Sequence, residues 1–146
     1  QLGGLAALMK ALDVKNETVR TEIIAALANL AVNDENESLI GSSGGLKSII
    51  EIGSKTKNPE LLAQVSRALR NLSVNPVNQK IVRETNGLGL LERLSKSKIP
   101  PIKAQASKAL ENIQKAAAMM IHGNDDGEGK QDEEGGGGGG DRTAIL

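Results

Sequence analysis

The 146-residue sequence contains no cysteine and no phenylalanine, tyrosine or tryptophan. Without cysteine there is no disulfide framework and no thiolate chemistry, whether redox or metal-binding. Without aromatics the chain lacks the side chains that usually pack a compact globule. It also lacks the rings on which single-stranded bases stack, so no specific nucleic acid partner is expected. The one histidine, His122, stands without a cysteine or a carboxylate at ligand spacing, so no metal site, cofactor or general base is expected. The glycine run from Gly135 to Gly140 lacks the Lys-Ser/Thr that a phosphate loop requires. The apolar stretch from Ala116 to Ile121 is far too short to cross a membrane. No residue set for catalysis is left, and a non-enzymatic protein is expected.

Charge is balanced overall but divided along the chain. Residues 1–122 hold sixteen Lys and Arg against eleven Asp and Glu, whereas residues 123–146 hold two against seven. The body is mildly basic and the end acidic. From Gly123 onward Gly, Asp, Glu and Gln dominate, a composition that cannot bury enough apolar surface to fold. Two domains follow: an ordered body over residues 1–120 and a disordered acidic tail over 121–146. The tail's six carboxylates between Asp125 and Glu134 are expected either to solubilise the chain or to compete for a basic surface on the body. Its last residues, Ala144-Ile145-Leu146, have only a superficial likeness to a C-terminal docking motif.

What the body does contain is repetition. Gly-Gly-Leu or Asn-Gly-Leu begins at Gly3, Gly44 and Asn86, and an asparagine followed by an aliphatic residue recurs at Asn29, Asn71 and Asn112. Either landmark gives a spacing of 41 or 42 residues. A period of that length filled with helical patterns indicates an α-solenoid, built by stacking helical units. The longest helix of each copy starts near Asn16, Asn58 and Pro100. Its apolar positions are Val19/Leu61/Ile102, Ile23/Val65/Ala106, Ala26/Ala68/Ala109, Leu27/Leu69/Leu110 and Leu30/Leu72/Ile113, spaced to share one helix face. A second helix follows each glycine signal, with Leu5/Leu46/Leu88, Leu8/Ile49/Leu91 and Ala11/Ile52/Leu94 on one side. A short helix, Asn36 to Gly41 and Asn78 to Arg83, ends at Gly44-Gly45 and Asn86-Gly87, residues suited to a left-handed turn. The first copy lacks the short helix. More repeats are therefore expected before Gln1, and an uncovered apolar face is expected near Leu5 and Leu8.

A short helix, a glycine turn, a second helix and a long helix ending in ALANLAVN (Ala26 to Asn33) or ALRNLSVN (Ala68 to Asn75) resemble the armadillo repeat. The resemblance covers residues 3 to about 115, roughly two and two-thirds repeats. HEAT repeats lack the three-helix layout and the Asn-Leu signature. The run NLAVNDENESLI before GGL is similar to the armadillo tails of certain kinesins, and LERLSKSK to the fungal vacuolar armadillo scaffold. The resemblance implies an all-α, right-handed solenoid whose third helices line a concave groove. It also implies that an asparagine of each third helix holds the backbone of an extended partner, here Asn29, Asn71 and Asn112. A side-chain amide both donates and accepts, so a row of them can hold a main chain without reading its sequence. An asparagine near a helix end also satisfies local backbone groups, and the two uses are compatible.

Nuclear import receptors of this family carry tryptophan one turn before the asparagine; this chain has Ala25, Arg67 and Lys108 there. That departure argues against basic nuclear-localisation peptides. With Gln64 and Gln105 a further turn back, Arg70 beside Asn71, and Glu22 and Glu111 as the only acids, the expected groove favours acidic or neutral segments over basic ones. Lys15, Lys55, Lys57, Lys96 and Lys98 recur between second and third helices and are expected to form a basic edge facing an acidic partner, a cytoskeletal one among them. The expected function is a cytoplasmic scaffold or adaptor, cytoskeletal or nuclear in some settings. The alternative is the armadillo part of a kinesin-like motor or a U-box ubiquitin ligase.

Overall fold

In a computed structural model, residues 2–119 are described. The chain divides into a compact unit, Gln1–Ile113, and a second that begins at Gln114. The first contains α1 (Leu2–Ala11), α2 (Glu17–Leu30), α3 (Asp34–Ser42), α4 (Gly45–Lys55), α5 (Pro59–Leu72), α6 (Pro76–Glu84) and α7 (Gly87–Leu94), then residues 100–113 as α8. Of the second unit, residues 114–119 are described, and they are helical. There is no strand among the described residues. The acidic tail, its proposed regulatory role, His122 and the C-terminal docking motif lie outside the described residues.

Helix starts follow from asparagine chemistry. Asn16 accepts from the Val19 N–H at 3.0 Å, and Asn58 accepts from the Glu60 and Leu61 N–H groups at 3.0 and 3.1 Å. The last residue of each ALxNLxVN run does the same for the short helix. Asn33 caps α3 and Asn75 caps α6, both in extended backbone. Each cap satisfies helix N–H groups that have no partner within the helix. Pro59 and Pro76 occupy first helical positions, where the missing N–H costs nothing.

The core is a stack. α2 packs along α5, α3 packs against α4 and α6, and α4 and α6 both meet α7. On α5, Leu61, Val65, Ala68, Leu69 and Leu72 are buried, and on α8 Ile102, Ala106, Ala109 and Ile113 are buried. These are the positions the periodicity marked, except that Leu110 on α8 is only half-buried. The first copy departs from the pattern. Val19 is 41% exposed where the equivalent Leu61 is 0% exposed, and Ala26 and Leu30 are only half-buried. The buried set on α2 is instead Ile23, Ile24, Leu27 and Ala28, with Ala31 just beyond. α5 is sandwiched between two repeats and buries both flanks, including Ser66, with Ser73 buried just beyond its end. α2 packs against α1, α3 and α5 but has, among the described residues, no third helix on its other flank, so burial moves toward α5. The uncovered face also differs from expectation. Leu5 is 2% exposed and Leu8 is half-buried, and the large exposed apolar side chains at this end among the described residues are Val14 and Val19.

The two short helices end differently. Gly44 has φ +93°, the left-handed conformation its position suggested. Asn86 has φ −75°, so the expected left-handed turn is absent there. Thr85 makes that turn in extended backbone, donating its hydroxyl to the Ile81 carbonyl at 2.8 Å and accepting from the Gly87 N–H at 3.2 Å.

Candidate functional site

The residues marked for partner binding lie on three third helices in matching register. Asn29 and Glu22 are on α2; Gln64, Arg67, Arg70 and Asn71 on α5; Gln105, Lys108, Glu111 and Asn112 on α8. The structure joins Asn29 to Arg67 and Arg70 to Gln105 across repeat boundaries. Arg67 reaches back to α2, donating from Nη1 to Asn29 Oδ1 at 2.7 Å and from Nη2 to the Ala25 carbonyl at 3.1 Å. Its Nε and Nη2 also donate to Gln64 Oε1 at 3.1 and 2.9 Å. Arg70 reaches the other way and donates to Gln105 Oε1 on α8 at 3.0 Å. Asn71 donates to the Ala28 carbonyl at 2.8 Å. Asn112 is half-buried at the same register of α8, and Lys108 lies 3.6 Å from Glu111.

The charge of this row has an unusual feature. Every partner that Arg67 and Arg70 hold is a neutral amide or carbonyl oxygen. The ion pairs among the described residues are Lys55–Glu51, Lys80–Glu84 and Lys108–Glu111, so neither arginine is paired with a carboxylate. The sequence marked these side chains as facing solvent or a partner; it did not show them clasping adjacent helices. The sign available in advance was Arg67 itself, one period after Ala25, where a long donor can reach the end of the preceding third helix.

The basic edge is only partly assembled. Lys15 and Lys55 line one open cleft of about 360 Å³ with Asp13, Arg20 and Glu51. Lys55 pairs with Glu51 at 2.8 Å, and Arg20 donates to the Leu12 carbonyl at 3.1 Å. The Glu51 carboxyl is held below its usual range by its hydrogen bond to Lys55, with the charges of Lys55 and Arg20 adding to the effect. Lys57, Lys96 and Lys98 are exposed but do not line this cleft. Among the described residues no cluster of His, Cys, Asp or Glu is placed to hold a metal ion, and no helix is long and apolar enough to cross a membrane.

Sequence reasoning missed a buried polar pair behind the row. Asn78 on α6 is 0% exposed and donates to the Glu37 main-chain carbonyl on α3 at 3.1 Å. Its Oδ1, and Oε1 of the buried Glu37, have no hydrogen-bond partner. Burial pushes the Glu37 carboxyl up, against a hydrogen bond from the Asn75 backbone that lowers it, and the charge of Asp34 pushes it further up. Nothing in the exposed-polar pattern of α3 announces this burial.

No family model and no curated protein matches the sequence. Solved structures do. A designed armadillo repeat protein matches over 76% of this chain and 47% of its own, at 26% identity and a TM-score of 0.71. Computationally designed armadillo repeat proteins for modular peptide recognition match over 75% and 47%, at 27% identity and a TM-score of 0.67. A designed armadillo repeat protein in complex with the peptide (KR)4 matches over 76% and 47%, at 26% identity and a TM-score of 0.68. This chain therefore spans less than half the length of each. Its all-helical stack, with two complete three-helix repeats following a two-helix one, is an armadillo-like repeat fold.

Proposed function

We propose that this chain is a binding scaffold without chemistry of its own, taking an extended peptide segment along the row of α2, α5 and α8. We further propose that it takes acidic or neutral segments in preference to basic ones. The observation that carries the reading is the pair Arg67 and Arg70, two guanidinium groups held by neutral oxygens and with no carboxylate partner among the described residues. A guanidinium whose donors rest on neutral oxygens gains by exchanging them for a carboxylate, and the fork geometry suits one. The designed neighbour with a (KR)4 peptide supports a peptide as the partner class. The charge of this row favours the opposite sign. The kinesin-tail and ubiquitin-ligase alternatives draw on the same surface and change only what the docked segment is used for.

The test uses three labelled octapeptides: alternating Glu-Ser, alternating Gln-Ser and alternating Lys-Arg. The acidic peptide should bind best, with affinity falling as salt rises, and Arg70→Glu should weaken it by about tenfold. Equal binding of all three, or an unchanged affinity in the charge-reversed variant, refutes the assignment. The cleft at Lys15 and Lys55 would be the next site to examine.

A further inference from the structure

We infer that Arg67 is a latch on Asn29: it occupies the amide that a partner backbone would use, and a partner carboxylate releases it. The inference rests on the groove reading above and adds the way that site is regulated. Four contacts carry it. A guanidinium has five N–H donors. Arg67 spends four of them, one each on Asn29 Oδ1 and the Ala25 carbonyl and two on Gln64 Oε1. One of the two lone pairs that Asn29 Oδ1 would offer to a main-chain N–H is thus already used, at 2.7 Å, and by a cation.

The latch uses four of its five donors but has no counter-ion among the described residues. Hydrogen bonds from a cation to a neutral oxygen are weaker than those to a carboxylate. An acidic side chain arriving over α5 therefore offers Arg67 a better partner than Asn29 does. Moving the guanidinium onto that carboxylate frees Asn29 Oδ1, and the freed amide can take the N–H of the same segment. A neutral segment has nothing to exchange for the latch and meets an Asn29 oxygen already polarised by a cation, which is a poorer acceptor for a second N–H. A basic segment is repelled as well. Acid recognition and backbone capture thus become one coupled event, in which a single arginine acts as the specificity-determining residue.

The coupling separates this inference from charge preference alone. If Arg67 only supplied positive charge, removing it would weaken acidic peptides and leave neutral ones unchanged. If Arg67 is a latch, Arg67→Ala weakens the alternating Glu-Ser peptide and also strengthens the alternating Gln-Ser peptide, by about three- to tenfold for one recovered hydrogen bond. Arg67→Lys keeps the charge, but one ammonium cannot span Asn29, Ala25 and Gln64 together. It should retain the acidic preference while binding the neutral peptide more tightly than the parent chain does. Both variants are titrated by fluorescence polarisation in the full chain, with circular dichroism confirming parental helicity. Arg67→Lys serves as the readout if the alanine variant fails to fold. Neutral affinity unchanged in a folded variant, with acidic binding intact in the parent, overturns the latch and leaves the groove standing. Absence of binding by every peptide to every protein overturns both.

Discussion

Glu37 and Asn78 are the residues whose surroundings suit them least. Both are buried, and each has an oxygen without a partner. Burial raises the proton affinity of Glu37, so the folded chain holds that proton more tightly than the unfolded one. Its contribution to stability is then best at acid pH and is lost as pH rises through the raised value. Glu37→Gln removes the buried charge. It should melt higher than the parent at pH 7, with the gap closing by pH 4, and equal melting temperatures at both pH values would contradict the assignment. Gly41 faces the same pair. A Cβ there would stand 1.7 Å from Asn78 Oδ1 and 2.6 Å from its Cγ, and Asn78 is tied to the Glu37 carbonyl. Gly41→Ala should therefore cost about 1–3 kcal/mol in urea unfolding, the usual range for overpacking. A cost below a few tenths would mean that Asn78 moves aside freely.

At the scale of elements, the asparagines do more structural work than their count suggests. Asn16, Asn33, Asn58 and Asn75 each open a helix with a side-chain cap. Asn58→Ala should cost about 1 kcal/mol, read as a lower denaturation midpoint with unchanged slope. Helix identity and order were legible because period, proline and asparagine signals agree with one another. The flank of each helix that is buried was less so. Periodicity gives one face per helix, and α5 also buries Ser66 and, at its C-cap, Ser73, whose hydroxyls donate to the Leu62 and Leu69 carbonyls at 2.8 and 2.5 Å. A serine satisfied by its own helix can be buried without an apolar signature. The candidate site was legible as a list of positions but not as a network, because the side chains that meet are a full period apart in sequence.

Across the whole described stack, equivalent positions are not energetically equivalent. Val19 and Leu61 share a register, yet one is 41% exposed and the other fully buried. In a solenoid each repeat gains stability from its neighbours, so the same truncation should read differently by copy. Leu61→Ala should cost about 2–5 kcal/mol, and Val19→Ala less than about 0.5 kcal/mol. Comparable losses would mean that the first repeat is covered in solution, by self-association or otherwise. The central claim, that the row of α2, α5 and α8 receives an acidic extended segment, is tested most directly by mapping that segment in solution. Backbone and side-chain amide resonances of the labelled chain would be followed while the alternating Glu-Ser peptide is added. The largest shifts are expected at the Asn29 side-chain amide, the Arg67 Nε–H and the Gln105 side-chain amide. Shifts confined to Lys15, Lys55 and their neighbours, or no shifts at saturating peptide, would contradict the claim.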